Sequence, residues 1–422
     1  MGFLSLLLVA SMPIIQVLLI GGVGAFLASA YSNLLTASAR RDINKVVFFV
    51  FTPCLMFASL AKTVTLLDVI SWWFMPVNMG LTFLVGSALG WIACKILKPL
   101  PHFRGLIIAF CSSGNLGNLL LIVIPAVCDE DGNPFGKDRS LCHSRGLSYS
   151  SLSLALGGLF IWTYSYGLMQ KSGKLYHKMQ SKSILCPADS YKEHPLQFKP
   201  HDESAHDDEE VALPASSRPD KHNEGNQIEA PLLSCDSEVD DKSLWTNLKE
   251  AMHQLAEELM TPPTISAIIG FIIGLVPWLK SLFIGDGAPL RVIQDSLEVM
   301  GNGTIPCIIL ILGGNLTQGL KKSVLKRSVI VAIVCIRYVV LPLIGIAVVY
   351  AAHDFGFLPR GDLLYRYVLM MQFAVPPAMS IGTMAQLLDV GQEECSVIFF
   401  WTYLVAAAAL TTWSTVFMSI LS

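Results

Sequence analysis

Apolar residues run through this chain in ten stretches of about twenty residues, set off from one another by polar segments. They fall roughly at 9–30, 43–62, 70–95, 104–127 and 147–170, and again at 263–284, 292–314, 328–352, 364–388 and 395–421. An α-helix needs about 20 apolar residues to cross a hydrocarbon layer of about 30 Å. The pattern therefore predicts an all-α membrane protein with ten transmembrane helices, five on each side of a long polar segment. The first stretch ends in Ala28-Ser29-Ala30, as a secretory signal does. It lacks a positive leading region and its apolar run is too long for a signal core, so it reads as a span.

Two stretches are interrupted, the fourth in each half. One carries Gly114-Asn115-Leu116-Gly117-Asn118 and the other Val375-Pro376-Pro377-Ala378. Glycine, asparagine and proline suit a broken helix, whose freed backbone groups must find partners inside protein or around a cavity. Paired interruptions at matching positions point to a transporter binding site. A second correspondence supports two related halves: Pro53-Cys54 in span two and Pro306-Cys307 in span seven, each read as a kink.

Composition and charge then orient the halves. At 53% hydrophobic and 14% charged, the chain is not an ordinary soluble protein. Short loops rich in Lys and Arg face the cytosol. Those loops hold Arg40, Arg41 and Lys45; Lys95, Lys98 and Arg104; and Lys321, Lys322, Lys326 and Arg327. The loops opposite mix acids with bases, as in Asp129-Glu130-Asp131 and Asp138-Arg139. Both termini are expected on the non-cytosolic side, with the central segment cytosolic and two five-helix repeats, 1–170 and 263–422, inverted against each other. Residues 171–243 hold about fifteen acidic residues and few aromatics, the composition of a disordered acidic loop. Trp245, Leu248, Met252, Leu255 and Leu259 then recur at helical spacing, predicting an amphipathic cytosolic helix over 244–262. Cys128 and Cys142 flank the loop after span four; free thiols are the expectation, and pairing in an oxidising lumen the alternative.

The candidate chemistry lies at the breaks. Half-helix N-termini present unpaired N–H groups and the positive end of the helix dipole, which together suit an anion. Asn115 and Asn118 add amides on one face, and Gly114 and Gly117 permit close backbone approach. Pro376 and Pro377 force the second break, so Val375 to Pro377 is expected to contribute backbone. Arg337 falls deep in span eight, where a charge marks function. It could hold a carboxylate, bind helix-end carbonyls or snorkel to the interface. Asp68 at the start of span three is a candidate for coupling, or a surface acid. Asn315 and Gln372 are further intramembrane polar side chains. No carboxylate cluster suggests a sodium site, and no metal, cofactor or nucleic-acid partner is expected. Intramembrane-protease and metalloprotease signatures are absent, so an enzyme is not expected. The rivals to a carrier of an aromatic acid are an ion-coupled carrier of another organic anion and a membrane receptor or scaffold using the cytosolic loop.

The segments Pro306-Cys307, Leu312-Gly313-Gly314-Asn315-Leu316, Gly114-Asn115-Leu116-Gly117-Asn118 and Val375-Pro376-Pro377-Ala378-Met379 resemble the PIN-LIKES family of plant auxin carriers, part of the PIN-FORMED group. The resemblance covers essentially the whole chain. It implies an endoplasmic-reticulum membrane protein that moves indole-3-acetic acid, and a fold similar to bile-acid and sodium–proton carriers. In that fold spans one, two, six and seven form a scaffold, the others move as an elevator, and spans four and nine cross at the substrate. Glycines here replace the proline of the Asn-Pro-Asn-type first crossover of PIN-FORMED proteins, and no aspartate–lysine pair of the kind linked to coupling there is evident around Asp68. An indole needs apolar walls. Phe51 and Met56, near the Pro53 kink with Phe48 and Leu55, are candidates. Monomer and homodimer both stay open.

Overall fold

The computed structural model describes residues 3–129, 133–136, 138–185, 260–322, 324–359 and 361–422, with the side chains of 3–10, 13, 118, 182–185 and 318–322 outside that description. The expected amphipathic helix over 244–262 lies almost wholly outside the described residues, as does most of the acidic loop. Apart from one isolated antiparallel bridge, the described elements are helices.

Six continuous helices are long and apolar enough to cross a membrane. They are α2 (Ala37–Thr63), α4 (Phe74–Leu97), α7 (Arg139–Ser181), α10 (Arg291–Thr317), α11 (Arg327–Asp354) and α14 (Gln392–Leu421). A seventh arises if α8 (Pro262–Leu275) and α9 (Pro277–Phe283), bent by 110° at Val276, count as one. The first stretch is α1 (Phe3–Leu27), and a short α3 (Leu66–Ser71) precedes α4. The fourth and ninth stretches are each two half-helices: α5 (Arg104–Ser112) and α6 (Asn118–Asp129), then α12 (Leu363–Ala374) and α13 (Ser380–Leu387). At 1.5 Å per residue no half is long enough to span alone.

Prolines shape the long helices differently in the two halves. Pro53 has no N–H for the carbonyl four residues back, and α2 opens into a π-turn over Val47–Phe51 just ahead of it. The same device recurs in α11, where a π-turn over Ile336–Val340 precedes Pro342. The Tyr338 carbonyl freed there accepts from Trp413 Nε1 at 2.7 Å. In α10 the counterpart of the Pro53 kink is a one-residue interruption at Gly303, ahead of Pro306.

Helix α2 packs against α8 and the first part of α10, and α1 packs along the rest of α10. Gly21 and Gly313 let α1 and α10 touch backbone to backbone, as small residues do in membrane interfaces. α4 packs on α5, α6 on α7, and α12 on α11 and α14. From Leu364 to Ala374 every residue of α12 but Arg366 is buried, so the ninth stretch sits in the core rather than against lipid. That burial makes a broken backbone tolerable.

Two expectations change. The first part of the polar segment is not disordered: helix continues from Tyr166 to Leu185, with Tyr176 packed on His102 at 5.1 Å. Cys128 and Cys142 are joined in a disulfide, with Cα atoms 5.8 Å apart, instead of standing as free thiols. The antiparallel return of α6 into α7 brings them within bonding reach, which spacing in the sequence does not display.

Candidate functional site: the crossing of two broken helices

Between α5 and α6 the chain is extended, and so it is between α12 and α13. Val375 is held at φ −69°, ψ 149°, the region to which a following proline confines a residue. The two extended pieces pass antiparallel and bridge at Gly114 and Pro377. Asn115 N donates to Pro376 O at 2.7 Å, and Ala378 N donates to Ser113 O at 3.0 Å. Both prolines lack a donor, so the element Val375 to Pro377 offers carbonyls here. Only glycine fits at 114: a Cβ would stand 2.7 Å from Arg337 Nη2 and 2.7 Å from Val375 Cγ2.

Arg337 is fully buried beneath this crossing. Its Nη1 donates to Cys111 O at 3.1 Å and Ser112 O at 3.4 Å, and its Nη2 to Val375 O and, at 3.5 Å, to Pro376 O. It therefore clamps the negative, C-terminal ends of α5 and α12 together. Of the three readings open from sequence, snorkelling is excluded by burial, and both amino groups are committed to carbonyls rather than free for a carboxylate. The π-turn over Ile336–Val340 is the local feature that carries the guanidinium.

The opposite ends are the N-termini of α6 and α13. Leu120 N bonds Gly117 O and Ile381 N bonds Ala378 O, so the amides of Asn118, Leu119, Met379 and Ser380 head these half-helices without an acceptor in their own turn. Positive helix ends thus flank the crossing on one side while Arg337 neutralises the negative ends on the other. Asn115 Nδ2 donates to the Tyr403 hydroxyl at 3.0 Å, and that hydroxyl donates to Pro377 O at 3.0 Å. The Asn118 side chain lies outside the described residues.

A cavity of about 80 Å³ adjoins the crossing, lined by Thr52, Met56, Asn115, Gly117, Trp162 and Thr304 among others. The Thr52 and Thr304 hydroxyls are buried and have no partner among the described residues, which is costly unless a ligand or water supplies one. Pro53 and Pro306 stand beside these two threonines and break the helices there. Met56 is in the wall and Phe51 is not: its ring lies 3.3 Å from where a Cβ on Gly303 would stand, between α2 and α10.

The remaining candidates are structural ties. Gln372 joins three helices, accepting from Asn78 Nδ2 at 2.8 Å and donating to Ser153 Oγ at 2.7 Å. Asn315 Nδ2 donates to Gln386 Oε1 at 2.8 Å, linking α10 to α13. Asp68 sits in the first turn of α3, which Thr65 caps: the Asp68 backbone N–H donates to Thr65 Oγ1 at 3.2 Å, and its carboxylate accepts from the same hydroxyl. A lysine stands within electrostatic reach of Asp68. It is Lys280, from the other half of the chain, and it donates to Val64 O at 2.9 Å. Thr52, Trp162 and Tyr403 were missed by the sequence reading. No sequence signal separates Tyr403 from other hydroxyls of its span, such as Thr402, Thr411, Thr412 and Ser414.

An all-helical chain with this many apolar spans, whose two broken helices meet at a buried crossing, defines a membrane transport protein. Residues 9–414 match the family described as "Membrane transport protein". The chain is 55% identical to Protein PIN-LIKES 7 and 51% identical to Protein PIN-LIKES 5, both of Arabidopsis thaliana and both over the full length of each chain. It is 25% identical to an uncharacterised transporter of Saccharomyces cerevisiae, over 93% of this chain and 91% of that one. The chain belongs to the PIN-LIKES branch of this family of membrane transport proteins.

Proposed function

We propose that the protein is a secondary carrier that moves indole-3-acetic acid, or a similar aromatic carboxylate, across the endoplasmic-reticulum membrane by alternating access. The crossing carries this reading: two positive half-helix ends and the Asn115 amide converge beside a cavity with two unpartnered hydroxyls. An anion is stabilised there without a protein charge having to be buried against it. Asn115, Asn118, Gly114, Gly117, Val375, Pro376, Pro377 and Met56 form the substrate site in this reading, with Thr52 and Thr304 added. The PIN-LIKES name of the relatives supports the auxin-like cargo.

In the same reading ten spans form two inverted five-helix repeats, as in bile-acid and sodium–proton carriers. Each broken pair counts as one span, and α1 and the α8–α9 pair complete the ten. The mutual packing of α1, α2, α8 and α10 supports their role as a scaffold against which the other helices move as an elevator. The Cys128–Cys142 disulfide supports placing that loop, and with it both termini, in an oxidising lumen, and residues 171–243 in the cytosol.

Proteoliposomes carrying the purified full-length protein should take up radiolabelled indole-3-acetic acid saturably. Asn115→Ala should lower that uptake by about tenfold or more, the effect of losing one contact worth about 1.4 kcal/mol, while the thermal midpoint holds. Unchanged uptake in Asn115→Ala removes the site. Failure with aromatic acids but success with another organic anion replaces the cargo and leaves the site standing.

A further inference from the structure

A second cavity, of about 260 Å³, lies on the far side of the Asn115–Tyr403 bridge, among α1, α10 and α14. Phe399 and Tyr403 make its buried floor, and Leu18, Gly22, Leu312 and Phe400 stand in its walls. Among the described residues no charged side chain lines it. Its mouth faces outward: a Cβ built on Gly22 meets nothing within 4 Å. Leu19 and Val23 on α1 and Leu404 on α14, exposed and apolar, stand around it. The opening is at the level of the crossing, and the surroundings there in a bilayer are hydrocarbon.

The polar groups in this cavity are already committed. The Tyr403 hydroxyl donates to Pro377 O and accepts from Asn115, and Ser396 Oγ donates to Gln392 O at 3.1 Å. A carboxylate entering here would lose its water without gaining a partner. An apolar cavity of about 150 Å³ already takes benzene, so this one has room for a length of hydrocarbon chain. We infer that the cavity is a binding site for one acyl chain of a membrane lipid, which enters sideways between α1 and α14. A chain seated there packs on Phe399 and on Tyr403, the side chain that holds Asn115, and so braces the crossing from the lipid side.

The test uses full-length protein in nanodiscs containing a phosphatidylcholine with a diazirine halfway along one acyl chain. After photolysis, mass spectrometry should find the label concentrated on the segments 21–25 and 399–403. Gly22→Leu and Ala25→Leu fill the cavity from its open wall; each should lower that labelling by about tenfold at an unchanged thermal midpoint. Labelling should also persist in excess indole-3-acetate. Label spread evenly over the exposed faces of α4 and α11, or undiminished in both filled variants, overturns the inference. Displacement by indole-3-acetate also overturns it, by giving the cavity to the transported solute. Should neither variant fold, the label map and the competition on the unmodified protein decide alone.

Discussion

Arg337 brings a permanent positive charge to the place where two helices end inside the membrane. A central arginine costs about 2.5–3.5 kcal/mol on insertion scales, while each hydrogen bond to a charged group returns about 1.5–3 kcal/mol. Contacts to four carbonyls therefore offset the burial. Arg337→Gln should lower the thermal midpoint by several degrees and abolish uptake. Arg337→Lys should fall between, because an ammonium cannot fork between two helix ends. A wild-type midpoint in Arg337→Gln would remove the clamp. Tyr403→Phe deletes one hydroxyl at the crossing and little else, so its expected signature is a raised KM for the solute with a nearly unchanged midpoint. An equal loss of stability and uptake would make Tyr403 merely structural. Outside the spans, His102 is packed on Phe103 at 4.1 Å with a buried Nδ1 that has no partner among the described residues, and burial lowers its pKa. The packed turn resists the proton that the opened chain accepts below about pH 6.5. Stability at this end is full above that value and drains away as pH falls through the lowered one. Protection of the amides over 104–107, referred to the intrinsic exchange rate at each pH, should fall between pH 7.5 and 5.5, and His102→Phe should remove the difference.

At the level of elements, the breaks were legible because their residues have little helical alternative: Pro376-Pro377 cannot continue a helix, and glycine at 114 admits the Val375 side chain and the Arg337 guanidinium. What the breaks join was not legible. The bonds from Asn115 to Pro376 and Tyr403, and from Arg337 to Cys111, link residues far apart in sequence, and residue type does not announce such pairs. Phe51 lies off the cavity wall, between α2 and α10, where residue type alone did not place it. Half-helix α13 shows another long-range arrangement. Asn44 Nδ2 donates to Thr383 O at 3.1 Å, Asn315 to Gln386, and Arg41 meets Asp389 at 3.3 Å just beyond it. The last pair is exposed and contributes little; the two amide bonds are buried. Together they lock α13 to α2 and α10. If the crossing moves against those helices during transport, the lock must open in each cycle. A cysteine pair at Asn315 and Gln386, oxidised after purification, should stop uptake, and reductant should restore it. Full uptake by the oxidised protein would show that α13 and α10 do not separate.

On the scale of the whole molecule, the proposed sidedness rests on two independent features. Lys and Arg collect in the loops holding Arg40, Lys98 and Lys326, while the disulfide Cys128–Cys142 closes the loop on the other face. Translocation retains basic loops in the cytosol, and a disulfide persists only on an oxidising side. The two arguments share no residues and give the same orientation. A disulfide closing about 15 residues is worth about 3 kcal/mol in the chain-entropy account, and here it fixes the far end of α6, whose near end forms the crossing. Cys142→Ser should therefore lower the thermal midpoint by several degrees while leaving the sidedness untouched, because the basic loops set that alone. Sidedness can be read in sealed microsomes with a membrane-impermeant maleimide. Cysteine placed at exposed Lys326 should react at once. Cysteine at exposed Ser140 should react only after detergent opens the vesicle. The reverse order would invert the whole molecule, and reaction of both without detergent would remove the odd number of spans between them on which the inverted halves depend.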